Sequence, residues 1–291
     1  MRNINFGTWD LLRRATDQLA SEIRLSFDPV GIVGVPRSGM MVAANLATRF
    51  NVPLAVVDDF DGQNFMSSGP RCKGNVPGAG DLILVDDTVH RGDAMFQAVR
   101  EMGGSAGSIL RPFKVDTWKV VPAAAIVSGK QSVCLHGAVL PSPRVFAWNW
   151  LNSWLSEKTV VDFDGVLCKD PDFFDDDPEA YEDHIAGLPP LWLPTKQPHA
   201  IVTHRLERFR ETSYKWLKNF NLHNAPMTMR SDGTAAERRV SCSPYGVWKG
   251  QCFKSLPDAV LFVESDALQA RRIFKVAGKT VYCPSEDLVL S

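Results

Sequence analysis

The stretch LILVDDTVHRGDAM, Leu82 to Met95, decides how the rest of the chain is read. Its first four residues are apolar without alternation, which marks a strand buried on both faces, as in a parallel sheet. The strand runs into two adjacent acids, Asp86 and Asp87. Gly92 follows in a turn, and Ala94 to Met102 has the pattern of a helix stopped by Gly103-Gly104. Strand, acids, turn and helix in that order describe an α/β unit whose ligands bind beyond the carboxyl ends of the strands.

Outward from that stretch the alternation continues. Trp9 to Ile23 is helical, with Leu11, Leu12, Ala15, Leu19 and Ile23 on one face. VGIVGV, Val30 to Val35, is a short buried strand, and Met40 to Phe50 a helix. PLAVVDDF is a second strand ending in acids, and VVPAAAIV, Val120 to Val127, is another. From Asp61 to Gly80 the chain holds five glycines, two prolines, Arg71 and Lys73. That is long for a loop in a compact domain, and such loops often act as lids. Phe146, Trp148 and Trp150 alternate as on a strand with one buried face, at a core edge or a domain interface. The polar run Ser156-Glu157-Lys158 then separates two domains, 1–155 and 159–291.

The second domain repeats the style without repeating the sequence. TVVDFDGVL, AIVTH and AVLFVESD are strands ending in polar groups, and helices cover Leu206 to Phe220 and Ala267 to Val276. DPDFFDDDPEAYEDH reads either as a solvated, partly helical surface or as a small cap over a site. The expected fold class is therefore α/β, with two doubly wound domains and mainly parallel sheets.

Bulk properties narrow the function. The chain has 291 residues, 45% hydrophobic and 22% charged, with a formal charge of -1. No net basic field draws it to nucleic acid or to a membrane surface. No apolar run is long enough to span a bilayer, and MRNINFGTWDLLRR lacks the order of a signal peptide. The six cysteines form no C-x-x-C pair, which fits a reducing cytoplasm.

Paired acids at a strand tip suit a diol, because each carboxylate oxygen accepts a hydrogen bond from a hydroxyl. Asp86 and Asp87 can hold the two hydroxyls of a ribose. The following turn can offer backbone N–H groups to its 5-phosphate. A second glycine-bounded turn, GVPRSGM, carries an arginine and is a plausible pyrophosphate grip. Together these motifs and the intervening loop resemble the type I phosphoribosyltransferases over roughly the first half of the chain. By that resemblance Asp86 and Asp87 bind the ribose hydroxyls of phosphoribosyl pyrophosphate (PRPP). Thr88, Val89, His90, Arg91, Gly92, Asp93 and Ala94 wrap its 5-phosphate. Val35, Pro36, Arg37, Ser38 and Gly39 contact pyrophosphate with Mg²⁺ bridging, and Arg71 and Lys73 neutralise the leaving group. The family's turn carries hydroxyl residues where this chain has Arg91 and Ala94.

Asp162 and Asp164 form a D-x-D pair on an extended segment and so point the same way. One can attack phosphorus, forming an aspartyl-phosphate, while the other passes protons. VVDFDGVL resembles the first motif of the haloacid dehalogenase (HAD) superfamily, and the resemblance covers Thr159 to the end. It implies that Thr203 holds the transferring phosphoryl and that Lys249 offsets its charge, with Lys254 as the competing lysine. Asp162, Asp164, Glu264 and Asp266 would bind Mg²⁺. The acid at Asp164 points to a phosphatase or phosphomutase. The family more often has two aspartates where Glu264 and Asp266 stand.

The whole reads as a bifunctional, Mg²⁺-dependent, cytoplasmic enzyme. It would join PRPP to a base-like acceptor and cleave a phosphomonoester, a nucleotide, in sequence to yield a nucleoside-like product. The resemblance also implies a homodimer. A different reading makes the first domain a PRPP or nucleotide sensor attached to an active phosphatase. IVTHRLERFRETSYKWL also bears a faint resemblance to polynucleotide phosphatases, against which the charge argues.

Overall fold

The computed structural model describes residues 4–60, 65–66, 78–129, 133–172, 177–231 and 245–291. The chain divides into two compact units. The first is Trp9–Ser142; the second joins Met1–Thr8 to Pro143–Ser291. Among the described residues no helix is long and apolar enough to cross a membrane.

The strand β1 (Asn5–Gly7) belongs to the second unit. In the first unit, helices α1 (Trp9–Ser26), α2 (Gly39–Phe50) and α3 (Asp93–Glu101) accompany a seven-stranded sheet. Its strands are β2 (Pro29–Gly34), β3 (Leu54–Val56), β4 (Phe65–Met66), β5 (Gly80–Val89), β6 (Phe113–Val115), β7 (Trp118–Val127) and β8 (Leu135–Val139). The order is β4-β3-β2-β5-β7-β6, with β8 also on β7; only β4 and β6 run antiparallel to their neighbours. Ile32, Val33, Leu82, Leu84 and Val120 have no exposed surface, as expected where helices cover a parallel sheet. From β2 the chain goes to β3 on one side and then crosses to β5 on the other. That reversal opens a crevice at the carboxyl end between β2 and β5.

The register explains why the acids stand in that crevice. The strand β5 is longer than its apolar run implies and carries Asp86, Asp87 and Thr88 within it. On one side β7 stays paired with it up to Val89↔Val127. On the other, β2 ends its pairing at Gly34↔Val85. The two acids therefore overhang the end of β2, with backbone support from β7 alone.

The second unit has strands β9 (Arg144–Phe146), β10 (Thr159–Val161), β11 (Ala200–Leu206), β12 (Met227–Arg230), β13 (Leu261–Val263), β14 (Thr280–Cys283) and β15 (Leu288–Leu290). Its helices are α4 (Pro178–Ala186), α5 (Arg210–Asn219), α6 (Tyr245–Ser255) and α7 (Ala267–Ala277). The main sheet runs β12-β11-β10-β13-β14-β15, parallel except for β15. The chain leaves β10 toward β11 and β12, then returns to β13 on the other side. A second crevice thus opens between β10 and β13.

The division between the units differs from the one expected at Leu155 to Lys158. Val145, Ala147, Trp150 and Leu155 lie in one apolar cluster with Phe163, Trp216 and Tyr282 of the second unit. The strand ends at Phe146, and a short 3-10 turn, Trp150–Asn152, replaces the expected alternation. β1 pairs with β9 in parallel, and Phe6 stacks on Tyr282 with ring centroids 4.4 Å apart. A three-residue strand with a partner about 140 positions away leaves no periodicity to read. The helix expected from Leu206 starts as the end of β11 and a 3-10 turn, and is α-helical only from Arg210.

Candidate functional site

In the first crevice the two motifs meet. Val35 donates its amide to the Val85 carbonyl at 2.9 Å. Ser38 donates its hydroxyl to Asp87 Oδ1 at 2.8 Å. The Pro36–Arg37 peptide is cis, and Arg37 is exposed. Gly39 opens α2 so close to β5 that a Cβ there would lie 2.9 Å from Asp86 Oδ1 and 3.1 Å from the Val85 carbonyl. Glycine at this position lets the GVPRSGM turn sit against the acids. Asp86 Oδ1 accepts from the Asp87 amide at 2.8 Å. Burial, and then the neighbouring Asp87 charge, push the Asp86 carboxyl up to about 8.

Past the acids the chain turns through His90, Arg91 and Gly92, the last at φ 88°. Ser128 steadies the turn by donating its hydroxyl to the His90 carbonyl at 3.0 Å. Asp86, Thr88, Val89, His90, Arg91, Gly92, Asp93 and Ala94 line one pocket of about 210 Å³. Asp87 and Val35 to Gly39 are not among its lining residues. Arg71 and Lys73 lie outside the described residues.

The second crevice holds a pocket of about 700 Å³. Asp162 follows β10, and its amide donates to the Val263 carbonyl of β13 at 3.0 Å. Glu264 follows β13. Lys249 of α6 places its ammonium between them, 2.5 Å from Asp162 Oδ2 and 2.6 Å from Glu264 Oε2. All three residues are buried. Burial favours a neutral lysine, but Asp162 and Glu264 outweigh it and hold the Lys249 pKa above its ordinary value. Burial pushes the Asp162 carboxyl well above the carboxylate range, against the pull of Lys249. Of the two candidate lysines Lys249 reaches the acids, while Lys254 is exposed. Gly246 and Gly250 on α6 make this reach available. A Cβ at either would lie 2.6 Å from the Gln269 carbonyl or 2.8 Å from Val276 Cβ of α7.

Thr203 lines the same pocket, and its Oγ1 accepts from the Arg205 amide at 3.2 Å. Asp164 also lines it, but its carboxylate is gripped by Arg205, with Nη2 2.6 Å from Oδ1. Asp266 is drawn to a different task. It is exposed and caps α7, accepting from the Gln269 amide at 2.7 Å. Its own amide donates to Glu264 Oε1 at 3.1 Å. The four expected metal ligands all line this pocket, with the Asp164 carboxylate turned to Arg205 and that of Asp266 to the start of α7. Among the described residues no group of three or more His, Cys, Asp or Glu is arranged to hold an ion. Six carboxyl groups (Asp162, Asp164, Asp170, Asp172, Glu264, Asp266) line the pocket against Lys169, Arg205 and Lys249, so with every group ionised the formal charge is about -3, a balance that suits a cation.

Arg205, Asp170 and Tyr181 were not singled out from sequence. Arg205 lies two residues past Thr203 on β11 and lines the same pocket, although the strand is irregular between Val202 and Leu206. Lys169, Asp170, Asp172 and Tyr181, from the acidic insertion and its edge, line the pocket as a cap would. Burial raises the Asp170 carboxyl, and Asp164 adds to it.

No family model matches the chain, and no curated protein does. Solved structures similar to it include the purine phosphoribosyltransferase from Pyrococcus horikoshii Ot3. That match has 21% identity and a TM-score of 0.34, covering 51% of this chain and 94% of that one. The Helicobacter pylori xanthine-guanine-hypoxanthine phosphoribosyltransferase gives 15% identity and a TM-score of 0.34, covering 50% and 93%. A hypothetical protein from Neisseria gonorrhoeae with bound ppGpp gives 15% identity and a TM-score of 0.37, covering 52% and 92%.

Proposed function

We propose that the chain is a bifunctional, Mg²⁺-dependent enzyme. The first unit transfers phosphoribosyl from PRPP to a base-like acceptor. The second hydrolyses a phosphomonoester, the nucleotide so formed, to a nucleoside-like product. The observation that carries this reading is the Lys249 ammonium set between Asp162 and Glu264 at a strand-order reversal, with Thr203 in the same pocket. Asp162 is the nucleophile toward phosphorus, Thr203 and Lys249 hold the phosphoryl oxygens, and Asp164 passes protons. Asp162, Glu264 and the Asp164 carbonyl would hold Mg²⁺, which supplies the positive charge that lets a phosphate dianion enter an acidic pocket. Mg²⁺ keeps several waters, so it does not need a full protein cage.

In the first unit Asp86 and Asp87 grip the ribose hydroxyls, and the His90–Ala94 turn receives the 5-phosphate. Val35 to Gly39, with Arg71 and Lys73, meet the pyrophosphate. Catalysis rests on stabilising the leaving pyrophosphate while water is kept out. We assign the enzyme to the cytoplasm, in keeping with the free thiols Cys134, Cys168, Cys252 and Cys283, and assign it as a homodimer. Supplying PRPP and candidate bases to the whole protein tests the scheme. Nucleoside should accumulate, and nucleotide should accumulate instead in Asp162→Asn. Nucleotide alone from a protein with working phosphatase rejects the coupling.

Arg91 and Ala94, which remove two hydroxyls from the phosphate turn, favour a second reading in which the first unit senses PRPP and regulates the phosphatase. Calorimetric PRPP binding without turnover of any acceptor would select it.

A further inference from the structure

We propose that Arg205 is a positioning residue for Asp164, an inference that rests on the phosphatase reading above. The Arg205 side chain has no exposed surface, whereas Asp164 keeps 19% of its own, toward the pocket. Nε of Arg205 donates to both Asp164 oxygens at 3.1 Å, and Nη2 donates to Oδ1 at 2.6 Å. The guanidinium is itself fixed on its other edges. Nη1 donates to Ser213 Oγ at 3.0 Å, Nη2 to Cys168 Sγ at 3.4 Å, and the guanidinium carbon lies 3.9 Å from the Phe163 ring centroid.

Asp164 needs such a grip. It lies between β10 and Gly165, which is at φ 73°, on a segment outside the regular strand. A short carboxylate there can swing between rotamers, and a group that passes protons must stay within hydrogen-bond reach of the reacting oxygen. A planar fork fixes both the place and the plane of a carboxylate, which a lysine point charge does not. With Nε and Nη2 turned to Asp164 and Cys168 and Nη1 held by Ser213, Arg205 acts through Asp164.

Magnesium-dependent hydrolysis of p-nitrophenyl phosphate by the full chain tests this. Arg205→Lys keeps the charge and loses the fork; kcat should fall on the order of 100-fold with KM within about threefold. Combining Arg205→Lys with Asp164→Asn should cost no more than Asp164→Asn alone, because both act through one group. Wild-type kcat in Arg205→Lys, or losses that multiply in the double variant, overturns the proposal. If Arg205→Lys does not fold by circular dichroism, Ser213→Ala carries the test. Ser213 is buried and does not line the pocket. A several-fold drop in its kcat at constant KM supports the proposal, and an unchanged kcat overturns it. The two readings separate through Asp162→Asn. If the wild type has no activity that Asp162→Asn removes, the phosphatase reading fails and Arg205 loses its role. If that activity is present and Arg205→Lys retains it, only the positioning role fails.

Discussion

At the first crevice the acids meet a hydroxyl and a backbone amide, and at the second they meet an ammonium and a guanidinium. Both crevices arise from the same topology, a strand order that reverses at the first inner strand of a parallel sheet. What differs is the charge placed around the acids. Asp86, held by the Asp87 amide, is pushed up to about 8 by burial and by Asp87. Such a pair suits neutral hydroxyls, to which it offers acceptors and a proton. Asp162 and Glu264 share Lys249, and Asp164 has Arg205. Carboxylates kept beside fixed cations suit a dianionic phosphate and a divalent ion. The sheet supplies the place, and the cations set the charge around the acids.

The largest effect that could break this contrast is kinetic. Asp162→Asn should lower phosphomonoesterase kcat by at least about 10⁴-fold and leave PRPP-dependent transfer intact, while Asp87→Asn should do the reverse. Equal losses of both activities in either variant would show that the crevices are not separate sites. Next comes the core of the second unit. Phe6→Ala should destabilise it by about 3 kcal/mol, because Phe6 is buried on Tyr282. Denaturant unfolding should show the phosphatase lost before PRPP binding.

A second effect on stability concerns pH. The Asp86 carboxyl lies at about 8 in the fold against 3.8 when unperturbed, so its proton favours the folded state. That contribution is full below about pH 4 and is lost as pH rises through about 8. Asp86→Asn should therefore gain several kcal/mol over the wild type at pH 9, about 1.4 kcal/mol for each pH unit between the two values, and nothing at pH 4, seen as diverging melting curves. Smallest is Gly39→Ala. Its Cβ would press on Asp86 and the Val85 carbonyl, moving the turn by a few tenths of an ångström. KM for PRPP should rise about tenfold with the phosphatase unchanged.

The sequence by itself determined the fold class, the parallel strands and the acids at their carboxyl ends. Those features are local: an apolar run, a glycine turn and a helical period lie within about 15 residues of one another. The D-x-D spacing brought forward Asp162, and the resemblance to the haloacid dehalogenase superfamily brought forward Thr203, Lys249 and Glu264. Only the tertiary structure decided that Ile4 and Phe6 complete the second core, and that the Asp266 carboxylate caps a helix. It alone placed Lys249 rather than Lys254 between the acids and set Arg205 on Asp164. Each of these depends on contacts between positions far apart in the chain, where side-chain reach and burial leave no periodic trace in the order of residues.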